Sequence, residues 1–119
     1  MPDIKILAGT EPVINDPDVV TAVADVLKAA LGDKFRTSPP GTASEDFSEF
    51  AGAGVPSMMF NIGVYELERF VAASNGTGPE LPSNHSPLFA PVPKPTIETG
   101  VTAMTLAVLG AFEQRARGK

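Results

Sequence analysis

The stretch from Ser57 to Val64 constrains the fold more than any other. It follows a Val55-Pro56 break, and Met58, Phe60 and Ile62 alternate with Ser57, Met59, Asn61 and Gly63. A period of two marks a strand, and a strand apolar on both sides belongs in a sheet covered on both faces. A strand cannot stand alone, because its backbone donors and acceptors need neighbours. The chain is therefore expected to supply other strands, and the candidates are short: Ile4–Ala8, Val13–Ile14 and Asp33–Thr37.

Helices are easier to place. Asp16 can cap, Pro17 suits a first helical position where its missing N–H costs nothing, and Asp18 complements the positive end of the dipole. Val19, Val20, Val23, Val26, Leu27, Ala30 and Leu31 then recur at helical spacing up to Gly32, a favourable stop. Thr42 or Ser44 can cap a short second helix reaching about Ala51, with Glu45 and Asp46 in its first turn and Phe47 and Phe50 on one face. A helical turn or two is expected over 65–73. A long helix follows from about Thr96 to Arg117, with a stripe of Ile97, Val101, Met104, Val108, Ala111 and Phe112, and with Gly100 and Gly110 as points of close packing. Between them, 74–95 is rich in Gly, Pro, Ser and Asn and reads as a long loop of the kind that carries function or lacks order.

This order predicts an α/β fold: a partial three-layer α/β sandwich, an incomplete sheet with flanking helices. Too few strands serve too many helices, so the chain is expected to be a segment of a larger catalytic domain. No internal repeat or interdomain linker divides it.

Composition narrows the function. The 119 residues carry a net charge of −5, with no basic stripe, which argues against nucleic acid and anionic membranes as partners. Cysteine is absent, so disulfides and thiolate chemistry are excluded. The N-terminus reads as no signal peptide, no apolar run approaches membrane-spanning length, and a cytoplasmic location is expected.

Two motifs carry chemistry. In Gly41-Thr42-Ala43-Ser44-Glu45-Asp46-Phe47, adjacent carboxylates near a helix start act either as caps and solvating charges or as groups that support a metal ligand or move protons. In Ser83-Asn84-His85-Ser86-Pro87-Leu88-Phe89 stands the only histidine of the chain. A neutral imidazole is a good ligand for a divalent metal, yet one histidine alone has no ligand spacing and is equally an ordinary loop residue.

Taken together in this order, GTASEDF, the apolar strand, NHSPLF and the long helix resemble the C-terminal segment of the N-acyl amino acid amidohydrolases. These are the relatives of hippurate hydrolase, the indole-acetyl amino acid hydrolases and the carboxypeptidase-like co-catalytic metallopeptidases. Pro12-Val13-Ile14-Asn15-Asp16-Pro17 looks like that family's return from its small lid domain. The resemblance covers essentially the whole chain. It implies a phosphorylase/hydrolase-like catalytic domain of which 1–119 is the C-terminal segment, with 1–14 as the last lid strand and return hinge. It implies two divalent ions (Zn, Mn, Co or Ni) that polarise an amide carbonyl and activate a bridging water, with an upstream glutamate as base. It makes His85 a metal ligand and puts Ser44, Glu45, Asp46 and Phe47 near the metal pocket.

The departures matter as much. The family's first metal-binding motif, its base glutamate, its other ligands and most of its lid have no counterpart in these residues. One imidazole cannot build a hydrolytic metal site. The isolated chain is expected to be inactive, to bind no metal tightly, to need an N-terminal catalytic part and lid as partners for an N-acyl amino acid substrate, and to self-associate through uncovered apolar surface. The alternative is a non-catalytic binding or assembly module that needs a separate N-terminal half.

Overall fold

A computed structural model of the chain describes residues 2–5, 9–41 and 45–117. The elements in order are α1 (Pro17–Leu31), a 3-10 turn (Gly32–Lys34), α2 (Ser48–Gly52), α3 (Leu67–Ser74) and α4 (Pro93–Arg117). The chain falls into two compact units, residues 1–60 with 106–119 and residues 61–105.

In the first unit, α1 forms as its sequence dictates. The Asp16 carboxylate accepts from the N–H groups of Asp18 and Val19, both at 3.0 Å, and Pro17 opens the helix. Gly32 closes it in the left-handed region, φ 52°, and its N–H donates to Lys28 O. Val23 and Leu27 are buried, while Val19, Val20, Val26 and Leu31 are half-buried. The C-terminal part of α4 lies against this helix. Gly110 is buried, and a Cβ placed there would sit 3.2 Å from Val26 Cγ2, so glycine permits the approach. The other glycine expected to mark close packing, Gly100, has open space where its Cβ would be. Gln114 Nε2 donates to Asp18 O at 3.0 Å, tying the two helices near the start of α1. Asp16→Ala removes the cap and should cost about 1 kcal/mol, read as a lower urea midpoint.

No strand forms among the described residues, so the expected α/β sandwich is corrected to a helical structure. The reason is visible at Ser57–Val64, which runs without regular structure. In the first unit Asp16 N donates to Ser57 O at 2.9 Å, one bond of the kind a ladder repeats. At the next position a side chain takes the place of a partner strand: Asn15 Nδ2 donates to Met59 O, and Met59 N donates to Asn15 Oδ1, both at 2.9 Å. The amide satisfies both backbone groups of Met59 and ends the pairing there. The other expected strands fare no better. Val13–Ile14 has no regular structure, Asp33–Thr37 begins inside the 3-10 turn, and Ile6, Leu7 and Ala8 of the first candidate lie outside the described residues. Replacing Asn15 by Leu strands the part-buried N–H and C=O of Met59, and should cost about 2–3 kcal/mol in chemical denaturation.

In the second unit, α3 ends in a Schellman arrangement. Gly76 takes φ 68° and donates to Ala73 O, while Thr77 N donates to Ala72 O at 2.9 Å. Gly78 returns the chain onto the helix, where a Cβ would come within 2.9 Å of Ala72 Cβ. Helix α4 begins three residues earlier than its apolar pattern suggests. Pro93 and Pro95 each remove an N–H that a first turn would leave unpaired, and Thr96 N donates to Val92 O at 3.3 Å. By length and composition, Pro93–Ala116 is long and apolar enough to cross a membrane. The sequence reading misses this because Glu98, the threonines and the glycines interrupt the apolar run.

Candidate functional site

His85 sits in the second unit on two consecutive turns that share Ser86. Ser86 N donates to Ser83 O at 2.9 Å, closing the turn that holds Asn84 and His85 at its centre. Phe89 N then donates to Ser86 O at 3.0 Å, closing a turn with Pro87 at its second position, where its fixed φ is preorganised. Ser86 Oγ accepts from Leu88 N at 3.1 Å. No non-glycine residue described takes a positive φ, so neither turn is of the left-handed kinds. His85 is exposed at the tip.

The base of this loop is fastened by Tyr65. Its hydroxyl donates to Pro82 O just before the turns. Its ring meets Phe89 just after them, edge-on, with centroids 6.1 Å apart and planes at 88°. The Arg69 guanidinium lies 5.8 Å from the centre of the same ring. Val92 N donates to Val64 O at 2.9 Å and closes the segment behind it. The expected long loop is found over 75–92, and within it 82–89 is fastened so as to present one imidazole. Sequence reasoning misses Tyr65; the available signal is that it is the sole tyrosine and stands at the end of the Ser57–Val64 stretch.

The other motif lies in the first unit. Thr42, Ala43 and Ser44 fall outside the described residues, so the proposed helix cap and the first site-proximal residue do too. Glu45 and Asp46 were expected inside a helical first turn, but α2 begins only at Ser48, and both carboxylate residues precede it, exposed. Their backbones do the local work. Asp46 O accepts from Glu49 N at 3.0 Å, and Glu45 O accepts from the hydroxyl of buried Ser48 at 3.2 Å. Phe47 is half-buried against Phe50, with ring centroids 5.2 Å apart and planes tilted by 53°.

The donor chemistry gives a clear result. Among the described residues, no group of three or more His, Asp or Glu side chains is placed to hold a metal ion. His85 is chemically suited to be one ligand and is accessible. By themselves the described residues do not fit a complete metal centre, and no catalytic step can be assigned to them.

No solved structure matches this chain. A profile of Peptidase family M20/M25/M40 does, over residues 3–76, which is more than half of the 119. The matched stretch contains Glu45, Asp46 and Phe47 and the Asn15–Met59 clamp, and ends before His85. On that match the chain belongs to Peptidase family M20/M25/M40, a family of metallopeptidase and amidohydrolase type that is generally metal-dependent.

Proposed function

We propose that this chain contributes one metal ligand, His85, to a metal-dependent amidohydrolase of hippurate hydrolase type, which cleaves the amide bond of N-acyl amino acids. In this reading the remaining ligands and the general base come from other polypeptide, and the 119 residues alone do not turn over substrate. The observation that carries the reading is the presentation of His85. An accessible imidazole at the tip of a loop fastened by Tyr65 is what a ligand needs in order to meet donors supplied from outside. Family membership supports the chemistry, and the resemblance of the SEDF and NHSP motifs supports the substrate class.

The test is complementation. The chain is mixed or co-expressed with a polypeptide carrying the remaining ligands and base glutamate of a hippurate hydrolase, and glycine release from benzoylglycine is followed with Zn or Mn present. Activity should appear only in the mixture. It should fall by more than ~100-fold with His85→Ala, beyond what is lost when a group that only supports a ligand is removed. Binding of the added half without activity would favour the assembly-module alternative. Full activity of the His85→Ala mixture would remove His85 as a ligand.

A further inference from the structure

We infer that the hollow between α3 and the chain that returns over it binds a free α-amino acid with an apolar side chain, as its zwitterion. The hollow lies wholly in the second unit, where Glu68, Arg69, Ala72, Pro79 and Leu81 line about 220 Å³. It forms because the chain reverses tightly after α3. Thr77 N and Gly78 N both donate to Ala72 O, at 2.9 and 3.0 Å, and Gly78 passes against Ala72 where a Cβ would not fit. Pro79 and Leu81 are thereby laid beside the helix. On α3, Glu68 and Arg69 stand four and three residues before Ala72 and so share its side, and the short Ala72 side chain leaves the space unfilled.

The lining divides by chemistry. Ala72, Pro79 and Leu81 offer an apolar floor, while Glu68 and Arg69 bring opposite charges on adjacent residues. Among the described residues neither charge is in an ion pair, so both are available to a ligand. The Arg69 guanidinium is steadied 5.8 Å from the centre of the Tyr65 ring, and its fork of donors suits a carboxylate. The Glu68 carboxylate suits an ammonium. An ammonium and a carboxylate on one carbon, beside an apolar side chain, make an α-amino acid. A plain carboxylate would be repelled by Glu68, a plain amine by Arg69, and a hydrocarbon would leave both charges unused. The volume agrees. It equals about seven waters at liquid density and falls below the ~300 Å³ at which drug-sized sites begin, so it suits a molecule of about nine non-hydrogen atoms such as leucine. An enzyme that cleaves N-acyl amino acids releases such molecules; that link rests on the proposed function, and the binding itself does not.

A nuclear magnetic resonance titration of the full chain with L-leucine at neutral pH tests this. The amide signals of Glu68, Arg69, Ala72 and Leu81 should move together and saturate with a dissociation constant of about 1 mM, the scale for so small a ligand in an open site. Isocaproate, which lacks the ammonium, and isoamylamine, which lacks the carboxylate, should each bind ~5-fold more weakly. Glycine, which lacks the apolar side chain, should bind more than ~10-fold more weakly. Arg69→Ala should remove the preference for leucine over isoamylamine, and Glu68→Gln the preference for leucine over isocaproate. Both positions are exposed, so these variants keep the fold. No movement of these signals at ~20 mM leucine would overturn the inference. So would isocaproate binding as tightly as leucine, or preferences that survive both substitutions. Turnover is not read, so failure here leaves the proposed function standing, and failure of complementation leaves this site standing.

Discussion

Truncating Leu27 to Ala should cost about 2–5 kcal/mol, a large share of what holds a domain of this size together. Leu27 is 3% exposed, and the other buried apolar side chains among the described residues are Val23, Ala103 and Ala107. Two of the four are alanines, which bring little apolar area of their own. Leu27 is therefore the largest buried side chain on the face of α1, and its truncation removes the most apolar contact from it. The urea midpoint, followed by helical circular dichroism, should fall with the slope unchanged. Leu88→Ala is the matched control, since Leu88 is 75% exposed and its loss should stay within ~0.5 kcal/mol. A Leu27→Ala midpoint no lower than that of the control would place the core elsewhere.

This core also shows what was legible in the sequence. Helix α1 could be read almost to the residue, because Asp16, Pro17 and Gly32 are local signals that act on their own backbone. Helix α4 was legible from its apolar spacing, save its proline start, and α3 only as a helical turn or two, since no side chain caps it. The sheet was not. Alternation at Ser57–Val64 reports a preference for lying half-covered, and the segment does so, but a ladder also needs a second backbone in register. Here that place is taken by the side chain of Asn15, forty-four residues away along the chain, which no periodicity can announce. The stripe of α4 was visible as apolar spacing, yet spacing does not say which side is covered. The covered side is the small one, Ala103, Ala107 and Gly110, and the large residues face out.

The candidate site divides in the same way. The motifs could be quoted from the sequence, and the family match bears on the first of them. What the sequence hid is how His85 is held, because Tyr65 reaches the two ends of its loop through a hydroxyl and a ring edge, at separations of 17 and 24 residues.

A second large effect follows from the donor count. The chain alone should show no hydrolysis of benzoylglycine above background with Zn, Mn, Co or Ni. Two-ion catalysis needs ligands that fix both ions and a base beside them, and the described residues bring no three such donors together. The loss is not a matter of degree, since one ligand neither fixes coordination geometry nor lowers the pKa of a bound water in a shaped site. Added metal should not restore it, and on the proposed function His85→Ala should leave the isolated chain unchanged and silence the complemented one.

The most direct measurement is a zinc titration of the isolated chain by calorimetry at neutral pH, alongside His85→Ala. A closed zinc site of four protein ligands is worth ~10–16 kcal/mol. Binding through a single imidazole should be weaker than ~100 μM and should lose its site-specific heat when His85 is replaced. Stoichiometric binding at micromolar affinity or tighter, retained in His85→Ala, would show a metal centre built from other residues and would contradict the account.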